Sequence, residues 1–375
     1  MKIAVNTRLL LKGRLEGIGW FAAETLRRIT RSHPEHQFLF LFDRPFSEEF
    51  VFSGNVTPVV VSPQTRHPLL WYRWFEYSVP PVLKKMKADF FLSPDGYLSL
   101  SARIPSLPVI HDISFMHYPE FNPWLTGSYY RHFFPKFALK AARIATVSEY
   151  SKKDIEGTFN IPGEKIDVVY NGANIIFNPI SSEDKIQTRR ELTGGHDYFL
   201  YVGSFHERKN ISGLLEAYDS FRKKTGKAIK LVLAGEKMYS YNLMARTLAK
   251  LDFREDVIFT GYLEPPALLR LYGAATAMIY IPWFEGFGIP VLEAMYCDVP
   301  VIVSNRTALP EIAGGTAHLV DPSNMDSVVE GMIRVTSDES YRKKLISGGW
   351  LVREKYSWDI TARLLWESIE RSVIT

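Results

Sequence analysis

Short apolar runs alternate with helix-forming segments along almost the whole chain, and this alternation restricts the fold more than any other feature of the sequence. The first series of apolar runs is KIAVN, QFLFLFD, VTPVVV, ADFFLSPDGY, LPVIHDISF and IATVSEYS. A second series follows, with YFLYVGS, IKLVLAGE, VIFTGYL, AMIYIP and VPVIVS. Strands that alternate with helices are typical of parallel, doubly wound sheets. The sequence therefore predicts an α/β fold with two such sheets.

The two series are separated by the segment VVYNGANIIFNPISSED, which is rich in Asn, Gly, Pro and Ser. This composition is typical of a linker, which we place near residues 172–185. A chain of 375 residues also exceeds the size at which a single core stops growing. We predict two Rossmann-like domains facing a cleft, at residues 1–178 and 179–357. Ligands of such sheets bind at the carboxyl ends of the strands.

The net charge limits the kinds of ligand that the protein can bind, and the cysteine content indicates its compartment. A net charge of +4 suits an anionic ligand or an acidic membrane surface, but it is too small to indicate nucleic-acid binding. Cys297 is the only cysteine, which excludes an internal disulfide and is typical of a reducing compartment. No run approaches the roughly 20 apolar residues of a spanning helix, and the N-terminal stretch does not resemble a secretory signal. We expect a cytoplasmic protein, with peripheral contact at the membrane face left open.

The segment YVGSFHERKN carries the first candidate site. A predicted strand ends at Gly203 and Ser204, and a short loop with Arg208 and Lys209 leads to a helix that starts near Asn210. Loop amides, a helix N-terminus and two cations together suit a phosphate or diphosphate. The alternative is that both cations are ordinary solvated charges, which is equally compatible with the pattern.

The segment WFEGFGIPVLEAM carries two acidic residues, Glu285 and Glu293, on either side of a glycine-rich turn. The residues Phe287, Gly288 and Ile289 can present backbone amides to sugar or phosphate oxygens. Glu285 can accept hydrogen bonds from hydroxyls, and Glu293, which we place at the start of a helix, can accept a pair from a ribose. Either acid alone is better explained as structural, Glu293 through the helix dipole. Their spacing around the turn favours a binding site.

Two further groups of residues are weaker candidates. His111 ends a strand in VIHDISF, but a single histidine is more often structural. Gly17 and Gly19 in EGIGW precede a helix and would allow a phosphate to approach the backbone, or they only form a turn. Their spacing departs from the G-x-G-x-x-G pattern of dinucleotide-binding folds.

Together these segments resemble the glycosyltransferase family 4 proteins of the GT-B fold, and the overall pattern resembles bacterial polysaccharide mannosyltransferases. The resemblance covers nearly the whole chain, and its most specific element is the pair Glu285 and Glu293 within the intact EGFG form. The other matching segments are GIGWF, SPDGY, IHDISFMHYPEFNP, ATVSEYSKKDI, VVYNGAN, YVGSFHERKN, LVLAGE, FTGYLEPPALLRLY and ALPEIAGG. The resemblance also implies that the C-terminal helix, at residues 358–375, packs back onto the first domain.

The resemblance implies a retaining transfer of a sugar from a nucleotide-diphosphate sugar, without a metal or other cofactor. Arg208 and Lys209 would neutralise the diphosphate, Glu285 would hold hydroxyls of the transferred sugar, and Glu293 would hold the ribose.

The remaining implied roles belong to residues outside these two segments. His111 would contact the sugar near the reacting carbon, and Gly17 and Gly19 would pass close to the phosphate. Tyr262 and Leu263 would line the base pocket.

The chemistry of sugar transfer requires cations near the diphosphate, independently of the family resemblance. Departure of a nucleoside diphosphate places negative charge on the phosphate, which cations and amides already aimed at it stabilise. No Asp-x-Asp motif occurs in the sequence, which agrees with a metal-free reaction in which two basic side chains replace a dication. Retention fits attack from the side of the leaving group, whose phosphate takes the acceptor proton. Glu285 as a nucleophile remains a minor alternative.

More than one donor, acceptor and reaction class is compatible with the sequence. We expect a hexose, with mannose from GDP-mannose first, and UDP-glucose, UDP-galactose and UDP-N-acetylglucosamine close behind. The acceptor is a glycan or a lipid-linked sugar of cell-surface polysaccharide, such as lipopolysaccharide. The rivals are a nucleotide-sugar epimerase of similar build and a non-catalytic carbohydrate- or nucleotide-binding protein. An epimerase needs an acid and a base near the sugar C2, and the spacing of Glu285 and Glu293 around the turn disfavours it. The presence of Arg208 and Lys209 together with both glutamates disfavours the binding protein.

Two aromatic segments of the first domain also have more than one interpretation. LLWYRWFEYSVPPVLKKMK can be a packed helix interrupted at Pro80 and Pro81, which we favour, or a helix that meets anionic lipid. HYPEFNPWLTGSYY, predicted as a loop, is a candidate acceptor site, because aromatic faces suit sugar rings or lipid carriers. An ordinary surface loop explains the segment nearly as well.

Overall fold

The computed structural model describes residues 1–236 and 241–374 of the protein. The internal contacts divide the chain into two compact units. Unit 1 comprises Met1–Gly172 with Ser357–Thr375, and unit 2 comprises Ala173–Tyr356. The division therefore falls within the predicted linker.

Unit 1 is built on a parallel sheet in the order β3-β2-β1-β4-β5. Its strands are β1 (Lys2–Asn6), β2 (Gln37–Phe42), β3 (Val56–Val60), β4 (Phe90–Ser93) and β5 (Ser106–Pro108). Two further parallel strands, β6 (Ile144–Thr146) and β7 (Ile166–Val168), continue from it through a bridge between Val109 and Ala145. The three middle residues of the central strand β1, Ile3–Val5, are apolar and fully buried, as is typical of a parallel sheet that helices cover on both faces.

The helices of unit 1 before the linker pack around this sheet. They are α1 (Gly17–Ser32), α2 (Pro68–Arg73), α3 (Val79–Met86), α4 (Ser114–His117), α5 (Trp124–Lys140) and α6 (Glu149–Phe159). A π-helical turn at Trp74–Ser78 joins α2 to α3. Trp74, Phe75, Val79 and Leu83 of this region are buried, so it packs as a helix of the unit.

Unit 2 has a six-stranded parallel sheet in the order β10-β9-β8-β11-β12-β13. The strands are β8 (Tyr198–Val202), β9 (Lys230–Ala234), β10 (Val257–Gly261), β11 (Ala277–Tyr280), β12 (Val301–Ser304) and β13 (His318–Val320). This is the strand order of dinucleotide-binding folds, in which the direction of winding reverses between the first and fourth strands. Here that switch point lies between β8 and β11, and their carboxyl ends are where a ligand is expected.

The helices of unit 2 connect these strands. They are α7 (Ser182–Thr193), α8 (Ile211–Thr225), α9 (Tyr241–Leu248), α10 (Pro265–Ala274), α11 (Ile289–Tyr296), α12 (Leu309–Ala313), α13 (Met325–Ser337) and α14 (Glu339–Arg353). The last helix, α15 (Trp358–Ile374), belongs to unit 1 and packs on α1. The ring of Trp366 stacks on His33 with 3.7 Å between ring centroids. Among the described residues, no helix combines the length and the apolar character that crossing a membrane requires.

The two parallel sheets confirm the predicted α/β fold class with two doubly wound domains. One local expectation was wrong: HYPEFNPWLTGSYY is not a continuous loop, because α5 begins at Trp124. Pro123 precedes the helix, where a proline costs no hydrogen bond.

The position of the predicted helix interruption was also wrong. The α-helical pattern changes earlier, in the π-helical turn at Trp74–Ser78, and Pro80 and Pro81 lie in the first turn of α3. Prolines fit there because the first amides of a helix have no partner within it.

Candidate functional site

The carboxyl end of β8 meets that of β9 at two glycines. Gly203 has a φ of +145° and Gly235 a φ of +149°. A Cβ atom on Gly235 would lie 2.0 Å from the carbonyl oxygen of Gly203, so this approach requires glycine. The chain leaves the sheet here through Ser204 into the predicted loop.

The loop after β8 is tied to the loop after β11 at the switch point. Residues Glu207–Lys209 form a short 3₁₀ turn that precedes α8. The amide of Trp283 donates to the carbonyl oxygen of Arg208 at 2.9 Å, and Nη1 of Arg208 donates to the carbonyl oxygen of Phe284 at 2.8 Å. The sheet topology thus brings together two segments that lie far apart in the sequence.

These ties place both predicted cations beside one predicted carboxylate. Nζ of Lys209 forms an ion pair with Glu285, and Nη1 of Arg208 lies 3.6 Å from Oε2 of the same side chain. Burial raises the pKa of Glu285, but the charges of Lys209 and Arg208 and the hydrogen bonds from Lys209 and Tyr280 lower it more, so the pKa lies below its usual value. The result is an ionised carboxylate with two cations fixed beside it.

The turn after Glu285 leads directly into α11. Gly288 has a φ of +95° and caps the helix, and a Cβ atom there would lie 2.7 Å from Cδ2 of Leu309. Phe287 is buried, and Ile289 is the first residue of α11, with Pro290 in its first turn. The first amides of this helix lack partners within it and carry its positive dipole end. The predicted amide-rich turn is therefore a helix N-terminus.

The predicted position of Glu293 at the start of a helix was wrong. Because Gly288 and Pro290 start α11 earlier, Glu293 lies in its second turn. Its carboxylate accepts a 2.8 Å hydrogen bond from the hydroxyl of Tyr272. Burial raises the pKa of Glu293 to about 7, and the Tyr272 hydrogen bond offsets only part of that effect. The helix dipole is thus a poor explanation of this carboxyl group.

Tyr262 and Leu263, the predicted base-pocket residues, follow directly after β10. Tyr262 is 40% exposed, and Leu263 is half-buried. Both lie at the carboxyl edge of the same sheet as the Glu285 cluster, two strands away from β8.

The remaining predicted site residues lie in unit 1. Nε2 of His111 lies 2.8 Å from the carbonyl oxygen of Pro94, which can only accept, so this nitrogen carries the proton. Burial lowers the pKa of His111, which favours the neutral ring. The prediction that Gly17 and Gly19 precede a helix was wrong, because both lie in the first turn of α1. A Cβ on Gly19 would lie 3.1 Å from the carbonyl oxygen of Leu9, whereas one on Gly17 would meet no atom within 4 Å.

Three residues of the unit 2 cluster were not predicted from the sequence. The hydroxyl of Tyr280 contacts Lys209 and Glu285, Tyr272 contacts Glu293, and Oγ1 of Thr307 accepts from the amide of Glu285 at 3.1 Å. The only signal was that Tyr280 ends an apolar strand immediately before the turn.

Two doubly wound parallel sheets in separate units of one chain are the architecture of the GT-B class of glycosyltransferases. The chain belongs to the glycosyl transferases group 1, whose family model matches residues 156–350. The model of Glycosyltransferase Family 4 matches residues 15–176.

Individual relatives agree with this assignment. The O-antigen chain mannosyltransferase B of Escherichia coli is 29% identical over 370 residues, which cover 96% of this chain and 97% of the relative. The O-antigen chain mannosyltransferase RfbU of Salmonella typhimurium is 27% identical, covering 75% of this chain and 76% of the relative. Anabaena Alr3699/HepE, solved in complex with UDP and glucose, has a similar fold, with a TM-score of 0.77 at 16% identity and 99% of each chain covered.

Proposed function

We propose that this glycosyltransferase moves mannose from GDP-mannose to a glycan or lipid-linked acceptor in cell-surface polysaccharide synthesis, with retention and without a metal. The observation that carries the transfer chemistry is the fixed group of Arg208, Lys209 and Glu285 at the switch point of unit 2. The choice of mannose is supported by the names of two relatives, both O-antigen mannosyltransferases.

Arg208 and Lys209 bind the diphosphate in this proposal. As the bond between the sugar C1 and the phosphate oxygen breaks, negative charge accumulates on the phosphate, and cations already held beside it stabilise the transition state more than the ground state. Both side chains are anchored, Arg208 by the carbonyl of Phe284 and Lys209 by Tyr280 and Glu285. Both cations are therefore held at the switch point before the donor binds.

The two carboxylates hold the hydroxyl groups of the donor. Because the pKa of Glu285 is lowered, this side chain is an acceptor at neutral pH and binds hydroxyls of the transferred sugar. Glu293 takes the ribose hydroxyls, and the amides of Phe287, Gly288 and Ile289 bind sugar or phosphate oxygens. Gly203 and Ser204 let the diphosphate approach the end of β8, and Tyr262 and Leu263 line the base pocket.

The transfer itself proceeds on one face of the sugar. The bond from C1 to the leaving phosphate oxygen breaks, the bond from the acceptor oxygen to C1 forms on the same side, and the acceptor proton passes to the leaving phosphate. No side-chain nucleophile is required. The roles of His111 near the reacting carbon and of Gly17 and Gly19 near the phosphate stay predictions, as does peripheral contact with the cytoplasmic membrane face.

A donor screen read by mass spectrometry tests the proposal. Purified protein is incubated with acceptor polysaccharide extracts and with GDP-mannose, UDP-glucose, UDP-galactose or UDP-N-acetylglucosamine. We expect a mass increase of one hexose with GDP-mannose, unchanged by EDTA. Complete loss of transfer under EDTA that Mn²⁺ restores would contradict the metal-free reaction.

The same screen separates the rival functions. An isomerised nucleotide sugar without transfer, separated by chromatography because epimers have the same mass, would indicate an epimerase. Binding of GDP or UDP in calorimetry, without transfer or isomerisation, would indicate a non-catalytic binding protein. The nucleotide that binds with higher affinity indicates the donor class.

A further inference from the structure

A buried tyrosine hydroxyl lies between the two charged groups on which the proposed transfer depends. Tyr280 is the last residue of β11 and is 1% exposed. Its hydroxyl accepts a hydrogen bond from Nζ of Lys209 at 2.7 Å and donates one to Oε2 of Glu285, also at 2.7 Å. Tyr280 therefore touches the cation and the carboxylate at once.

The position of this hydroxyl is fixed by packing. The ring of Tyr280 stacks on Tyr201, with 5.9 Å between centroids and an interplanar angle of 22°. Nζ of Lys209 lies 5.3 Å from the centre of the Tyr280 ring, within cation–π range. Burial and the neighbouring Glu285 carboxylate raise the pKa of Tyr280, so the hydroxyl keeps its proton and remains a donor.

Binding of a diphosphate weakens the interactions between Glu285 and its two cations. Phosphate oxygens compete for Lys209 and Arg208, the two cations that keep the carboxylate ionised. A half-buried carboxylate that loses its cations tends to take up a proton, and a protonated Glu285 no longer offers the same acceptors to sugar hydroxyls. A donor that stays on Glu285 while the cations turn to the phosphate would prevent this.

The geometry points to Tyr280 as a positioning residue that directs Lys209 toward the donor diphosphate and retains a hydrogen bond on Glu285 throughout transfer. It acts through these two residues and does not itself touch the substrate. This inference rests on the proposed function, since it presupposes that Lys209 binds the diphosphate and Glu285 the sugar.

The test is the pH profile of Tyr280→Phe in the full chain, with the donor that the screen identifies. The titratable and charged groups that face Glu285 are Lys209, Arg208, Tyr280 and Tyr201. Loss of one charged hydrogen bond is expected to move the acid limb of kcat, which reports the enzyme with its donor bound, up by about one pH unit. We expect kcat to fall about tenfold, with donor KM changed less than about threefold.

A second variant guards against a folding defect. Replacement of Tyr280 by 3-fluorotyrosine keeps the ring and the hydroxyl and makes the hydroxyl a stronger donor, so the acid limb should move in the opposite direction, to lower pH. Tyr198→Phe is the matched control, because it removes another buried hydroxyl of unit 2, which donates to the carbonyl of Leu271 at 2.6 Å. We expect its pH profile to match that of the wild type.

The outcomes distinguish the inference from the function beneath it. A wild-type protein that binds and transfers nothing overturns both. If the wild type is active and Lys209→Ala is impaired, but both Tyr280 variants keep the wild-type kcat and acid limb, the role of Tyr280 alone is overturned. Equal effects of Tyr280→Phe and Tyr198→Phe would likewise reduce Tyr280 to a packing residue.

Discussion

At the scale of single residues, two glutamates of one short segment, Glu285 and Glu293, have carboxyl groups with opposite shifts of pKa. Glu285 contacts Lys209 and has a pKa below its usual value, whereas Glu293 contacts Tyr272 and has a pKa raised to about 7. One is charged at neutral pH, and the other is near its titration midpoint. The difference comes from the neighbours that the fold supplies.

The raised pKa of Glu293 predicts how stability depends on pH. The folded state keeps its proton up to about pH 7, while an unfolded glutamate loses it near 4.5. The protonated Glu293 therefore contributes at most about 3 kcal/mol to the free energy of unfolding. This contribution is fully present below pH 4.5 and is lost as the pH rises through 7. Glu293→Gln removes the titration, so in calorimetric melts its Tm should exceed that of the wild type increasingly as pH rises from 5 to 8.

The exposed Glu183 of α7 provides the control, because Glu183→Gln removes the same charge from unit 2 without changing a buried group. A difference between Glu293→Gln and the wild type that stays constant from pH 5 to 8 would contradict the assignment.

Lys209 is the residue on which we expect nucleotide affinity to depend most. Lys209→Ala should weaken GDP binding about ten- to hundredfold, as expected for a lost charged hydrogen bond. Lys224→Ala is the matched control, since Lys224 is half-exposed in the same unit and pairs with Asp326. Isothermal calorimetry at one fixed salt concentration measures both, and equal weakening would mean that only net charge matters.

Sequence patterns predicted Arg208, Lys209 and Glu285 because charged side chains in a strand-to-helix loop stand out. They could not predict Tyr280, since a tyrosine that ends a buried strand looks like any other core aromatic. Its role depends on which strand lies beside β11, and that is a property of topology.

At the scale of elements, the start of α11 depends on one backbone conformation. Gly288 combines a φ of +95° with a side chain of Leu309 where a Cβ would lie. Gly288→Ala should cost about 3 kcal/mol of unfolding free energy and weaken nucleotide binding. Denaturant melts and calorimetry measure the two effects.

Gly226 separates strain from crowding. It has a φ of +65° after α8, and no heavy atom lies within 4 Å of the position that a Cβ would take. Gly226→Ala should cost only about 1 kcal/mol and leave binding unchanged. If both substitutions cost the same, contact with Leu309 contributes nothing.

The helix α5 shows where local pattern fails. Its first turns read WLTGSYY, with a glycine and several aromatics, and Pro135 lies inside it. These residues have weak helix propensity. Tertiary packing overrides that preference, since Tyr129, Phe134 and Phe137 are buried in the core of unit 1. The polar helix α7 begins at Ser182, within the linker predicted near residues 172–185, and was not predicted because it has no clear apolar stripe.

At the scale of the whole molecule, unit 1 is completed by a segment from beyond unit 2. Helix α15 packs on α1, Asp359 pairs with Arg28 at 2.6 Å, and Ser368 donates to Asp167 at 2.6 Å. The strand alternation was enough to predict two sheets. The return of α15 came only from family resemblance, because nothing in a helix's own pattern says which surface covers it.

Removal of residues 357–375 should therefore affect the two units differently. In the 1–356 chain, α1 loses its partner, so unit 1 should melt well below its normal temperature. GDP binding should change less than about threefold, because Arg208, Lys209 and Glu293 all lie in unit 2. Circular dichroism melts and calorimetry test this, and unchanged melting of both units would contradict it.

The packing of α15 on α1 has a consequence for biosynthesis. Residues 1–172 are made before residues 358–374, so the face of α1 that contacts α15 stays uncovered until that helix emerges. Unit 2 is one uninterrupted stretch and can mature co-translationally. The first half of the polypeptide to be made is thus the last to mature, and it is the half that nascent-chain chaperones would have to shield.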